Sequence, residues 1–339
     1  MPAGRVVGIV GGLLHPPRAM RRVLAVWVVA VVAVLAGCGG GSATDPNGGA
    51  RTAATTREAP APLQIANGPI EAADPGRPPL RLKLTATADP VRVRFGDGQP
   101  RGGLLFDLDT GEVLWRRLPN RVLPIASLTK IMTALVVVQR ARPADKVRVT
   151  KEALAYKGSG VGVLPRGKSV RLETMLNGLL LPSGNDAAIA LAQRVSGTVD
   201  RFVLRMNEQA RALGMACTRF SSPSGFVDRG NHSCAADLAG MARALLDQPR
   251  LARIVKRRRA VLPFPIKGGR LFLFNNNPLL RTGYPGTLGV KTGFTDAAGR
   301  CLVAAAERGG RRLGVVLLHS PNPGRQATVL LDRGFRVAR

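Results

Sequence analysis

Ile125-Ala126-Ser127-Leu128-Thr129-Lys130 opens an apolar run that predicts a helix over Ser127–Arg140. Residues three apart on a helix share a face. A Lys at that spacing reaches the Ser hydroxyl and can take its proton, provided the amine is neutral. A Ser at a helix start also has developing negative charge favoured by the helix dipole. Taken alone, Ser-x-x-Lys is a weak pattern that arises by chance in chains of this length.

Two more elements follow in order. Ser183-Gly184-Asn185 presents a hydroxyl and an amide from a turn between predicted helices over Thr174–Leu181 and Asp186–Val195. Lys291-Thr292-Gly293 stands at the expected start of a strand, with Gly289 before it. A cation beside a hydroxyl on a strand edge suits a carboxylate, and the glycine lets a ligand approach the backbone.

The ordered set is far more specific than its parts. With Leu181-Pro182 before the second element, Phe294-Thr295 after the third and Leu330-Leu331-Asp332-Arg333-Gly334-Phe335 near the end, the chain resembles the serine-type D-alanyl-D-alanine carboxypeptidases, the low-molecular-mass penicillin-binding proteins. The resemblance covers residues 101–339. It implies an α+β fold of the β-lactamase/penicillin-binding transpeptidase type: an antiparallel sheet with flanking helices and a helical subdomain. It implies that Ser127 attacks the bond between two terminal D-alanines of a peptidoglycan stem peptide, with Lys130 as general base and Ser183 as proton relay. Asn185 would hold Lys130 and the substrate amide. Lys291 and Thr292 would bind the terminal carboxylate, beside Gly293. The N–H groups of Ser127 and Phe294 would form the oxyanion hole. β-Lactams would acylate Ser127. The Ser222-Pro223-Ser224-Gly225 loop and Arg325 receive no role.

Working outward, Leu104–Asp107 and Val113–Trp115 flank Asp107-Leu108-Asp109-Thr110-Gly111, a hairpin turn. Arg201–Leu213 has helical apolar spacing, Cys301–Ala306 and Leu313–Leu318 are strand-like, and Gln326–Arg333 is a last helix. Early strands, a helical middle and late strands make an α+β body. Residues 38–100, with nine prolines and one aromatic, read as a flexible linker, although the apolar alternation over Leu80–Phe95 leaves open a strand on the folded body there.

Residues 1–37 read as a signal peptide. Arg21-Arg22 precede an all-apolar stretch, Val23–Ala36, shorter than the roughly 20 residues a spanning helix needs. Leu35-Ala36-Gly37-Cys38 resembles a bacterial lipobox, which places a lipid on Cys38 and the body outside the cytoplasm on a bacterial cell membrane. In that oxidising space, Cys217 and Cys234 bracket a turn-rich loop and are expected to pair, while Cys301 reads as a small buried strand residue.

The formal net charge is +29. Its cations are scattered and aromatics make up only 4%, too few for base-stacking platforms, so no nucleic acid is expected. Lys256-Arg257-Arg258-Arg259 reads as a solvated face. The three histidines, His15, His232 and His319, show no ligand-like pairing, so neither a metal nor a cofactor is expected. Competing activities are a cross-link endopeptidase, a class A-like β-lactamase and a non-catalytic peptidoglycan-binding lipoprotein. The β-lactamase reading is weakened because Glu173-Thr174-Met175-Leu176-Asn177 precedes Ser183 rather than following it.

Overall fold

The computed structural model describes residues 78–85, 88–226 and 229–337. The expected signal peptide, Cys38 and most of the expected linker lie outside the described residues.

Strands β1 (Gly102–Asp107) and β2 (Val113–Arg117) form the expected hairpin. Asp107 Oδ1 accepts from the N–H groups of Asp109 and Thr110, each at 2.9 Å, the local bond that makes Asp a turn former. The helical middle comprises α1 (Lys130–Val138), α2 (Leu172–Leu180), α3 (Asn185–Ser196), α4 (Val199–Ala212), α5 (Ala235–Asp247) and α6 (Pro249–Val255). A two-stranded hairpin, β3 (Arg259–Pro263) and β4 (Arg270–Phe274), precedes β5 (Thr287–Thr295), β6 (Gly299–Arg308) and β7 (Arg311–Leu318). Helix α7 (Pro323–Val337) ends the described body.

The main sheet runs β2-β1-β7-β6-β5, with every neighbour antiparallel. Period-two alternation sorts its side chains into two cores. Leu104, Phe106, Val303, Ala305, Val316 and Leu318 pack with the helical middle. Leu105, Leu302, Ala304, Leu313, Val315 and Leu317 pack under Leu330 and Leu331 of α7. Complete burial of each large apolar side chain contributes about 1.5–3 kcal/mol. Every residue of α1 is buried, which makes it the axis of the helical part and fixes Lys130 inside it.

Three expectations need correction. The ordered body begins before Arg101: Val91 is buried and donates its N–H to Leu114 O at 2.9 Å, and Phe95 meets the edge of Trp115. There the apolar alternation outweighs the proline content that suggested a linker up to residue 100. Ser127 does not start a continuous α-helix; Ala126–Thr129 form a 3-10 turn leading into α1. Lys291 lies in the middle of β5 rather than at its start, because Gly289 stays in the ladder opposite Ala305. The sequence reading also passed over α5, α6 and the β3–β4 hairpin.

Candidate active site

The 3-10 turn brings the first pair together. Side chains at i and i+3 of such a turn eclipse one another, and Lys130 Nζ lies 2.9 Å from Ser127 Oγ. Ala126, just before, takes a positive φ of 46°, which turns the chain sharply into Ser127.

Lys130 is completely buried and has two further partners: Asn185 Oδ1 at 2.6 Å and the Ser224 carbonyl at 2.7 Å. Burial first, and then the nearby Lys291 ammonium, hold its pKa well below the ordinary 10.5, while Asp186 opposes them. The carbonyls of Asn185 and Ser224 can only accept. A neutral amine gives its two N–H groups to them and keeps its lone pair for the Ser127 hydroxyl, which then donates. That is the arrangement a general base requires.

The orientation of Asn185 is set from behind. Its Nδ2 donates to Lys157 O at 2.5 Å, so Oδ1 faces Lys130. Its neighbour Asp186, also buried, accepts from the N–H groups of Val161 and Gly162 at 2.9 and 3.1 Å. The loop through 157–162 is thereby tied to the Ser183–Asn185 turn. Ser183 has φ 72° and a buried Oγ with no hydrogen-bond partner among the described residues.

β5 is an edge strand of the sheet, and it faces the Ser127 turn. A Cβ built on Gly293 would stand 2.9 Å from Ile125 O and 3.2 Å from Ser127 N, so only glycine permits this approach. Lys291 is buried and its Nζ donates to Thr292 O at 2.9 Å; desolvation lowers its pKa to about 7. Thr292 is half-buried and Phe294 is 63% exposed at the strand's end.

The structure thus gathers Ser127, Lys130, Asn185 and Lys291, with Ser183 on the turn that carries Asn185 and Thr292–Phe294 on the strand that carries Lys291. It also adds a group the sequence reading passed over, the Ser224 carbonyl. Gly225 was its signal: its φ is +71°, and a Cβ there would sit 2.0 Å from Ala126 O. The loop is pressed onto the Ser127 turn and anchored by Thr133 Oγ1, which donates to Pro223 O at 2.6 Å. Arg325 pairs instead with Asp97 at 3.3 Å, and Glu173 with Arg250 at 2.7 Å. Cys217 is bonded to Cys234, and Cys301 is buried in β6 with its Sγ 3.5 Å from Ala298 O. Asp237 stands near the disulfide and accepts from Cys217 N and Thr218 Oγ1, each at 2.7 Å; sulfurs bonded to each other are not available as thiolate ligands.

Comparison with known proteins bears on this geometry. Residues 97–322 match the peptidase S11 family, described as D-alanyl-D-alanine carboxypeptidase. The D-alanyl-D-alanine carboxypeptidase DacB2 of Mycobacterium tuberculosis is 37% identical over 253 residues, covering 72% of this chain and 85% of that protein. DacF of Bacillus subtilis is 35% identical over 245 residues, covering 70% of this chain but only 62% of DacF. The crystal structure of D-alanyl-D-alanine carboxypeptidase from M. tuberculosis superposes with a TM-score of 0.68 at 35% identity, over 74% of this chain and 96% of that one.

Proposed function

The chain belongs to the D-alanyl-D-alanine carboxypeptidase family, and from that premise we propose that it removes the terminal D-alanine from peptidoglycan stem pentapeptides through an acyl-enzyme on Ser127. The observation that carries this reading is the buried Lys130 amine, with two acceptor-only partners and the Ser127 hydroxyl as its third. Ser127 Oγ gives its proton to Lys130 and attacks the carbonyl between the two D-alanines. Ser183 passes a proton to the leaving amine. The N–H groups of Ser127 and Phe294 take the oxyanion, each worth about 3–4 kcal/mol. Lys291 and Thr292 bind the terminal carboxylate. Water then releases the shortened peptide, and a β-lactam occupies Ser127 as a substrate mimic. Mass analysis of purified muropeptides after incubation with the protein tests the reading. Pentapeptides should become tetrapeptides; cleavage of cross-links alone would establish an endopeptidase, and no change would overturn enzymatic action.

We further propose an extracytoplasmic protein held to the membrane by a lipid on Cys38. Arg21-Arg22, the apolar stretch 23–36 and Leu35-Ala36-Gly37-Cys38 support it. A diacylglycerol with an amide-linked chain supplies the two anchors that stable attachment needs. Mass spectrometry of the membrane-derived N-terminus checks this; an unmodified N-terminus beyond residue 38 would refute it.

A further inference from the structure

None of the residues placed at the candidate site lies on the β3–β4 hairpin. Its register pairs Arg259 with Phe274, Val261 with Phe272 and Pro263 with Arg270. On one face Ala260, Leu271 and Leu273 are buried in the larger core. The opposite face carries Val261, Phe272 and Phe274, exposed by 50%, 62% and 65%. Antiparallel sheets with one solvated face ordinarily put polar residues there. Two phenylalanines and a valine standing together in water mark a contact surface.

Charge selects the partner. Lys256, Arg258, Arg259 and Arg270 around this face are all exposed. From Gln248 to Thr295 the sequence holds ten Lys or Arg and no Asp or Glu. Such a surface repels a second copy of itself. Aromatic side chains ringed by cations match the boundary of an anionic bilayer, where apolar groups enter the acyl edge and cations meet the phosphates.

We propose that the β3–β4 hairpin docks on a membrane of anionic lipid, with Phe272 and Phe274 entering the headgroup–acyl boundary and Arg259 and Arg270 facing lipid phosphates. The contact is independent of the reaction and of any lipid on Cys38. It has a consequence for the cleft. Asn276, just past β4, donates its N–H to Leu181 O and its Nδ2 to Pro182 O, each at 3.2 Å. The hairpin is therefore fastened to the segment leading into Ser183, and docking sets the height of the cleft above the lipid.

Hydrogen–deuterium exchange of the full chain tests this, because it reads the hairpin amides themselves. The probes are vesicles of phosphatidylglycerol mixed with phosphatidylcholine, and vesicles of phosphatidylcholine alone. Amides in 259–274 should exchange several-fold more slowly on the anionic vesicles only. The slowing should vanish at about 1 M salt, where the screening length falls to roughly 3 Å. It should also vanish in Phe272→Ser/Phe274→Ser and shrink in Arg270→Glu, with exchange elsewhere in the body unchanged. Equal exchange with and without anionic vesicles overturns the proposal. So does equal slowing by soluble polyphosphate, which would make charge alone sufficient. Slowing without vesicles that grows with protein concentration would make a second copy the occupant and overturn the proposal.

Discussion

Lys130 Nζ donates to Asn185 Oδ1 at 2.6 Å across 55 residues of sequence. This bond joins the Ser127 turn to the Ser183 turn and, with the Ser224 carbonyl, leaves the amine one direction for its lone pair once its proton is lost.

Ser127→Ala should abolish penicillin labelling and D-alanine release together. Lys130→Ala should keep the fold and slow acylation by roughly 10²–10⁴-fold. The double variant should be no worse than Ser127→Ala, since the Lys acts only through the Ser. Stopped-flow acylation with a fluorescent penicillin measures the Lys130→Ala loss, and residual D-alanine release compares the double variant with Ser127→Ala; a further fall in the double variant would separate the two roles.

With Lys291 lowered to about 7 in the free protein, its charge disappears as pH climbs through that value. Under the proposed function the substrate carboxylate binds the Lys291 cation, so kcat/KM should fall on the alkaline side of about 7. Lys291→Arg keeps the charge and should remove that limb of the profile. A limb left in place by the substitution would assign it to another group.

The same shift has a stability consequence. Between about 7 and the ordinary 10.5 the unfolded chain holds a proton on Lys291 that the folded protein has lost. Stability therefore rises with pH across that window. Lys291→Met should flatten this rise relative to the native chain, as read by Tm between pH 7 and pH 9.

Gly293→Ala places a methyl group 2.9 Å from Ile125 O. It should push β5 away from the Ser127 turn and misplace an oxyanion donor, at a cost of about 10²–10³-fold in acylation. Circular dichroism should stay native. Undiminished acylation would show that the strand can retreat without loss.

Replacing Cys217 and Cys234 by Ala opens a loop with a sequence separation of 17. The chain-entropy estimate is a loss of about 3 kcal/mol, or roughly 6–12 °C in Tm. Calorimetry of the oxidised native chain against the double variant reads it.

Much is legible in the sequence alone. Ser127 with Lys130, Ser183 with Asn185, and Lys291 through Phe294 are each a few residues apart, and such spacing carries a fixed geometry on a turn, helix or strand. The hairpin at Asp107–Gly111 and the alternation in β6 and β7 were legible for the same reason: their pattern is local and decides which face meets the core. The extended body before Arg101 was harder, because prolines and alternating apolar residues gave opposite signals and only packing against Leu114 and Trp115 resolved them. The 3-10 form of the Ser127 turn was hidden because it differs from an α-helix in its bonding and not in its letters. The partners that aim the site belong to tertiary structure alone. The carbonyls of Ser224, Lys157 and Pro223 are backbone atoms that every residue type shares, so no side chain announces them. They reach Lys130, Asn185 and Thr133 only because loops distant in sequence close over a buried helix, where an amine without its full set of partners could not remain.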